Sequence, residues 1–446
     1  MDLPDFSPDA SGIANARALQ HAVDQGGTIR ITRPGVYRLA ATIYLGSHTS
    51  LCFGPGVIIQ KTDEAGPFTY VFLNKGARTK TTDENIVIEG LHLQVNGQDI
   101  QKWVIPGLRG QVAFFHVRDV LIRRFRCYDM GPKQFCIHVC TFEDLVVEDV
   151  IIHGDKDGVH LGCGRRFRIS HGVFKTFDDA IALNAHDYDT ANPELGWIEE
   201  GVIEHCHDLS AERTTGFFCR LLAGAWLDWQ PGMRVQKSDT VISLGRLYRV
   251  CADADGRNYE SLTAPTHLEG MAELNGITWV MLQANPVYEV GVRNVVFRDI
   301  TLHKPRIGFA LLFDNDKYSR SVYPGATPPV QSNIRLEGIT VAHDATLPFL
   351  HVTTPVDVVR VRDARLRQSP IVFTNRTPGV DQGRTHLHLT DCTFTAAGEF
   401  KFVDVEIEPK AVSLHTSGSI VLDDSFHATV TGETSQLTID SDLPGL

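Results

Sequence analysis

Residues 157–183, DGVHLGCGRRFRISHGVFKTFDDAIAL, contain one short phrase twice: Asp157-Gly158-Val159-His160-Leu161 and, 22 residues later, Asp179-Ala180-Ile181-Ala182-Leu183. Between the two lies a second unit, RFRISHGVF from Arg166, which can be laid over eight other stretches of the chain. These are NIVIEGLHL from Asn85, DVLIRRFRC from Asp119, DLVVEDVII from Asp144, EGVIEHCHD from Glu200, NVVFRDITL from Asn294, NIRLEGITV from Asn333, VVRVRDARL from Val358 and HLHLTDCTF from His386. Positions two and four of the unit are mostly apolar, position six is Gly, Asp or another polar residue, and a second short strand follows. The steps run from 22 residues (Asp144 to Arg166) to 94 (Glu200 to Asn294).

A floor in the low twenties with variable excess is what a solenoid gives when every coil needs the same strands but its loops vary. The coils read as two or three short strands with Gly, Asp or Asn at the corners and no helix between them. Few Asn-Gly or Asp-Gly dipeptides stand where hairpins would need them, which disfavours a β-sandwich. The fold class is therefore all-β, a parallel β-helix. Before the first coil, Ser11 followed by Ile13, Ala16, Leu19, Ala22 and Val23, then Gly26-Gly27, reads as one capped amphipathic helix. Its place is over the open edge of the first coil, whose unpaired strand would otherwise invite aggregation.

The 94-residue interval is too long for a loop. It holds alternating strands with Trp226, Trp229 and Trp279, and reads as a small antiparallel β-domain over residues 223–283, inserted between solenoid portions 1–222 and 284–446. Its segment 259–279 resembles small β-modules of phage tail and carbohydrate-active proteins.

Composition excludes several classes. The net charge of −12 argues against a nucleic-acid binder, which would carry a basic stripe. No run of 18 apolar residues exists, so no membrane span is expected. The nine Cys form no CxxC pair and no zinc-type spacing with His, and read as buried thiols; no metal or cofactor is expected. The opening MDLPDFSPDASG has neither a basic nor an apolar region of a secretory signal. The sequence thus reads as cytoplasmic, or as secreted or periplasmic if a signal was removed.

Strand alternation puts Val159, Leu161, Ile181 and Leu183 inside the coil and His138, His160 and Ala182 outside on one face. Small residues at 158, 180, 182 and 310 leave that face open, like the floor of a cleft. Neighbouring strands lie about 4.8 Å apart, which brings the carboxylates of Asp157 and of Asp178 or Asp179, one coil on, close together. Two such anions push their pKa values apart, so that one stays protonated as general acid while another activates water. Glycoside hydrolysis requires that arrangement. An Asp pair at a β-helix corner often only satisfies turn amides; the matched Asp157-Gly158 one coil earlier is what favours chemistry. His138 and His160 are candidate substrate contacts, as are His186, Asp187, Tyr188 and Trp197 of the long excursion 184–197, and Arg220 and Lys317 in later coils. The insert and the excursion would wall the cleft and favour attack at a chain end.

Asp155-Lys156-Asp157-Gly158 and Phe177-Asp178-Asp179, with Asp157 and Asp178 one coil apart, resemble the polygalacturonase-like family of β-helical glycoside hydrolases. There an Asn-Thr-Asp-Gly motif precedes a Gly-Asp-Asp motif, and the three Asp are catalytic. GGTIRITRPGVYRL and LCFGPGVIIQ also resemble the start of that fold. The resemblance implies a right-handed, pectin-lyase-like β-helix, a carbohydrate substrate, and inversion with Asp178 as general acid and Asp157 and Asp179 activating water. The chain departs from the pattern at Asp155-Lys156 and at Phe177. It lacks the family's Gly-His-Gly, and Lys304-Pro305-Arg306-Ile307 matches its Arg-Ile-Lys only in part, so the resemblance does not imply polygalacturonate as substrate. Two other readings remain: a lyase or epimerase on uronic acids, and a non-catalytic, tailspike-like glycan binder.

Overall fold

The computed structural model describes residues 5–100, 104–374, 381–396, 400–406, 411–422, 426–430 and 436–440. Short strands coil around one axis as a right-handed parallel β-helix. All nine copies of the repeated unit lie on successive coils in one register: Ile86, Val120, Leu145, Phe167, Gly201, Val295, Ile334, Val359 and Leu387, the second residue of each copy, pair in that order. The 94-residue step is thus one interrupted coil, since Gly201 pairs directly with Val295.

The polar sixth position has a backbone cause. In every copy it lies in the left-handed region, from Gly90 (φ 75°) through Arg124, Asp149, His171, His205, Asp299, Gly338 and Asp363 to Asp391 (φ 53°). One left-handed residue turns the chain from one sheet of the coil into the next, and Gly, Asp and Asn enter that region at least cost. β-Branched residues enter it poorly. Asp363→Val is expected to lower stability by about 1–2 kcal/mol, and Asp363→Gly to be neutral or better, read from urea midpoints. The exposed Arg362–Asp363 pair, 3.5 Å apart, contributes little to either result.

The N-terminal helix, Gly12–Asp24, is capped by Ser11, whose hydroxyl accepts from the Ala14 N–H at 3.1 Å. Leu19, Ala22 and Val23 enter the same core as Ile29, Leu39 and Ile43 of the first coil. Ile13 is only half-buried; Asn15 points inward instead and bonds the backbone N–H and C=O of Ser7.

Residues 227–283 form a five-stranded sheet in the order Leu227–Asp228, Thr240–Ser243, Arg246–Cys251, Ile277–Gln283, Met271–Leu274. Its core contains Tyr248, Val250 and Trp279. Trp226 and Trp279 are both buried. The sheet is fastened to the excursion 184–197. Buried Arg249 donates to the carbonyls of Tyr188, Ala191 and Asn192 (2.6–3.3 Å), and Lys237 pairs with Asp189 at 2.7 Å. Among the described residues no helix is long and apolar enough to cross a membrane.

Candidate active site

Four neighbouring strands build the site. Ile137, Val159, Ile181 and Cys219 pair across coils and point inward, which leaves His138, His160, Ala182 and Arg220 as an outward column. In the coil after Asp179 the register runs through Cys219 and Arg220, and this brings Arg220 into the column beside Ala182.

The column is not an open cleft floor. His138, His160 and Ala182 are fully buried, because the excursion 184–197 folds over them. Asn192 Oδ1 lies 3.0 Å from His138 Nε2, and Asp187 Oδ2 3.4 Å from His160 Nε2. The backbone N–H of Arg109 donates to His138 Nδ1 at 3.0 Å, so His138 carries its proton on Nε2 and donates to Asn192. His186 is buried as well, 6.0 Å from the Trp226 ring, and burial drops its pKa to about 3. These three histidines are structural neighbours of the site rather than accessible sugar contacts.

The three acids converge: one carboxylate oxygen from each of Asp157, Asp178 and Asp179 lies within 4.8 Å of the others. Asp157 and Asp179 are each 1% exposed, whereas the Asp178 side chain keeps 22% of its surface. Asp178 pairs with Lys156 and accepts the Asp179 N–H at 3.2 Å. Asp179 accepts from the Phe217 N–H at 2.8 Å and faces Arg220 Nε at 3.0 Å. Gly216, at φ 61°, passes so close that a Cβ there would lie 2.5 Å from Asp179 Oδ1; only glycine fits.

Environment separates the acids. Burial, with Asp178 adding to it, raises the Asp157 pKa to about 7, against the pull of Lys156 and Arg220. Burial pushes Asp178 the same way, but Lys156 and Arg220 outweigh it and the net shift is downward. Burial also raises Asp179 well above its ordinary value, although Oδ1 accepts the Phe217 N–H and Oδ2 faces Arg220; Asp157 and Asp179 are the members pushed toward the protonated form, and Asp178 is the one held ionised. This order runs against the roles implied by the family resemblance, and Lys156 beside Asp178 is the physical reason. A carboxyl whose folded pKa is raised stabilises the fold below its unfolded value near 3.8, and that stabilisation is lost as pH rises through about 7. Asp157→Asn, which mimics the protonated form, is expected to remove much of this loss, on the order of a few kcal/mol. Unfolding free energies of both proteins between about pH 4 and pH 8 check it.

The remaining candidates divide. Arg220 bridges Asp179 and, at 3.6 Å, Asp187. Tyr188 lies under its guanidinium, 5.9 Å away. Trp197 immediately precedes the strand Ile198–Asp208 and stacks on Arg293 at 4.7 Å. Lys317 is exposed over the Tyr318 ring. Neither Trp197 nor Lys317 shares a hydrogen bond or ion pair with the three acids. Lys304 and Arg306 are consumed internally: Lys304 bonds the Thr176 carbonyl, and Arg306 grips Asp208 at 2.6 and 2.9 Å and donates to the Asp178 carbonyl at 2.6 Å. Neither is free to receive a sugar carboxylate. Lys156 was signalled by its place in the motif; the pairing of Arg306 with Asp208, 98 residues apart, carried no signal.

No family model and no curated protein matches this chain. Solved structures do. The N-terminal fragment of bacteriophage Phi29 gene product 12 superposes with a TM-score of 0.53 at 10% identity, over 97% of this chain and 70% of that one. A family 28 exopolygalacturonase of Yersinia enterocolitica gives 0.50 at 10% identity, over 100% and 78%. The surface adhesin PfbA of Streptococcus pneumoniae gives 0.48 at 13% identity, over 98% and 92%. At such identities the first two likenesses establish the β-helix fold and nothing narrower.

Proposed function

We propose that this β-helix protein acts on glycans, and that it hydrolyses a glycosidic bond of an oligo- or polysaccharide at the Asp157–Asp178–Asp179 cluster. The observation that carries the reading is the convergence of three carboxylates from adjacent coils within 4.8 Å, with one holding its proton near neutrality and one ionised and accessible. Asp178, the exposed member, meets the bond. Asp178 and Asp179 hold and activate the water, and Asp157 is the proton source for the leaving oxygen. Phe177, half-buried beside Asp178 with Arg213 stacked 5.0 Å away, offers an apolar face to a sugar ring. The excursion 184–197, clamped by Arg249, closes the far side of the strands, and this favours attack at a chain end.

A panel of aryl glycosides and bacterial and plant oligosaccharides, with products followed by NMR, tests the reading. The expected product has inverted anomeric configuration. Oxygens within 4.8 Å are closer than the roughly 6.5–9.5 Å usual between the carboxyls of inverting enzymes, so a retained product would replace the single displacement with a covalent intermediate. One observation favours a second reading, a non-catalytic glycan binder: each of Asp178 and Asp179 is already matched by a cation. Binding on the same panel without product would decide for it. An unsaturated, ultraviolet-absorbing product would indicate a uronate lyase.

A further inference from the structure

We propose that His160 and Asp187 are positioning residues that hold a proton on Asp157; the proposal rests on the hydrolytic reading of Asp157 given above. The His160 ring is fully buried and its plane is fixed. Phe135 stacks on it at 4.0 Å with an interplanar angle of 7°, and His138 meets it edge-on at 4.7 Å. Each ring nitrogen therefore has one neighbour it can address. Nδ1 lies 2.8 Å from Asp157 Oδ2, whereas Nε2 makes no hydrogen bond and faces the Asp187 carboxylate across 3.4 Å.

Asp187 can only accept. Its carboxylate receives the Tyr188 N–H at 2.7 Å and the Asn184 amide, and it faces Arg220 Nη2 at 3.6 Å. A bare Nε2 lone pair aimed at that buried anion would be repulsive, whereas an N–H there is attractive. The proton of the neutral imidazole therefore resides on Nε2. Nδ1 is left as an acceptor, and the 2.8 Å contact with Asp157 is then a hydrogen bond only if Asp157 supplies the hydrogen. Burial of His160, which drops its pKa to about 3, keeps the ring neutral and the proton on the acid.

The charges around Asp157 are compatible with this. Burial, Asp178 on the next coil and Asp187 disfavour an anion at Asp157, and Lys156 and Arg220 oppose them. Asp187 favours an imidazolium at His160, burial together with Arg220, Arg109 and Lys156 disfavours it, and His138 is neutral. Arg220 contacts both Asp179 and Asp187, so a single guanidinium acts on the acid cluster and on the carboxylate that anchors His160.

The test uses the whole chain with 15N-labelled histidine, His160 being assigned by the signals missing from His160→Gln. Near neutral pH the native protein is expected to show Nε2 protonated and Nδ1 bare. A bare Nε2 in an active enzyme would overturn the pair and leave hydrolysis standing. Protonated Nε2 in a protein that turns over no glycan would overturn the hydrolytic reading and leave the proton pair standing. In Asp187→Asn the amide can offer an N–H to Nε2, which drives the ring proton to Nδ1 and turns His160 into a donor toward Asp157. The limb of the pH–rate profile set by the acid is then expected to move at least one unit toward lower pH, with kcat falling near neutrality and KM little changed. An unshifted limb in a folded Asp187→Asn protein would overturn the proposal.

Discussion

Asp178→Asn is expected to lower turnover of the glycan substrate on the order of a thousandfold or more while leaving the far-UV spectrum and the thermal midpoint nearly unchanged. The two halves of the expectation have separate grounds. Activity falls because Asp178 is the accessible carboxylate of the cluster, and an amide can neither take a proton from water nor match the charge developing at the anomeric carbon. The fold survives because the side chain is partly exposed and its one backbone contact, the Asp179 N–H at 3.2 Å, can be kept by the Asn carbonyl. The ion pair that is lost, with Lys156, is also partly exposed and contributes modestly to stability. Retained turnover would remove the cluster from the mechanism. Lost turnover with a lowered thermal midpoint would show the variant to be a folding defect instead.

Arg306→Met is expected to cost about 3–5 kcal/mol of stability, the largest single effect in the site region. Arg306 is buried and grips Asp208, itself fully buried, through two oxygens. Removing the guanidinium leaves a carboxylate without its counter-charge, so most of the loss is the penalty of that orphaned anion. Arg306→Lys should recover only part of it, because an ammonium cannot make the two-pronged contact. The double variant Arg306→Met/Asp208→Leu, which removes both charges, should lie well above the single variant in urea unfolding. If it does not, the pair is not where the energy resides. The same guanidinium donates to the carbonyls of Asp178 and, at 3.4 Å, Thr215. Arg306→Lys should thus also reduce turnover by loosening the turn that presents Asp178.

The nine repeated units show how much of the fold was written in the chain. Every coil solves the same backbone problem, so every copy carries the same two signals: apolar residues at alternate positions and a residue tolerant of the left-handed region at position six. Both are local properties of one to five residues, and sequence records local properties directly. The same holds for the spacing that brings Asp157 beside Asp178 and Asp179, since parallel coils in constant register turn distance along the chain into distance in space.

The character of the site was not local. Whether the outward column at His138 and His160 faced solvent depended on where residues 184–197 fold, and that is fixed by Arg249, some sixty positions further on in the inserted sheet. Which acid stays ionised depended on Lys156 and Arg220, and Arg220 entered the column only through the register of its coil. Trp197 and Lys317, plausible contacts by type, belong to other surfaces. The coil, its register and the meeting of three carboxylates were legible in the chain, because each follows from periodicity and a fixed strand spacing. The burial, the ion pairs and the ionisation of those carboxylates were not, because desolvation and Coulomb interactions are set by groups that the fold brings together from far apart.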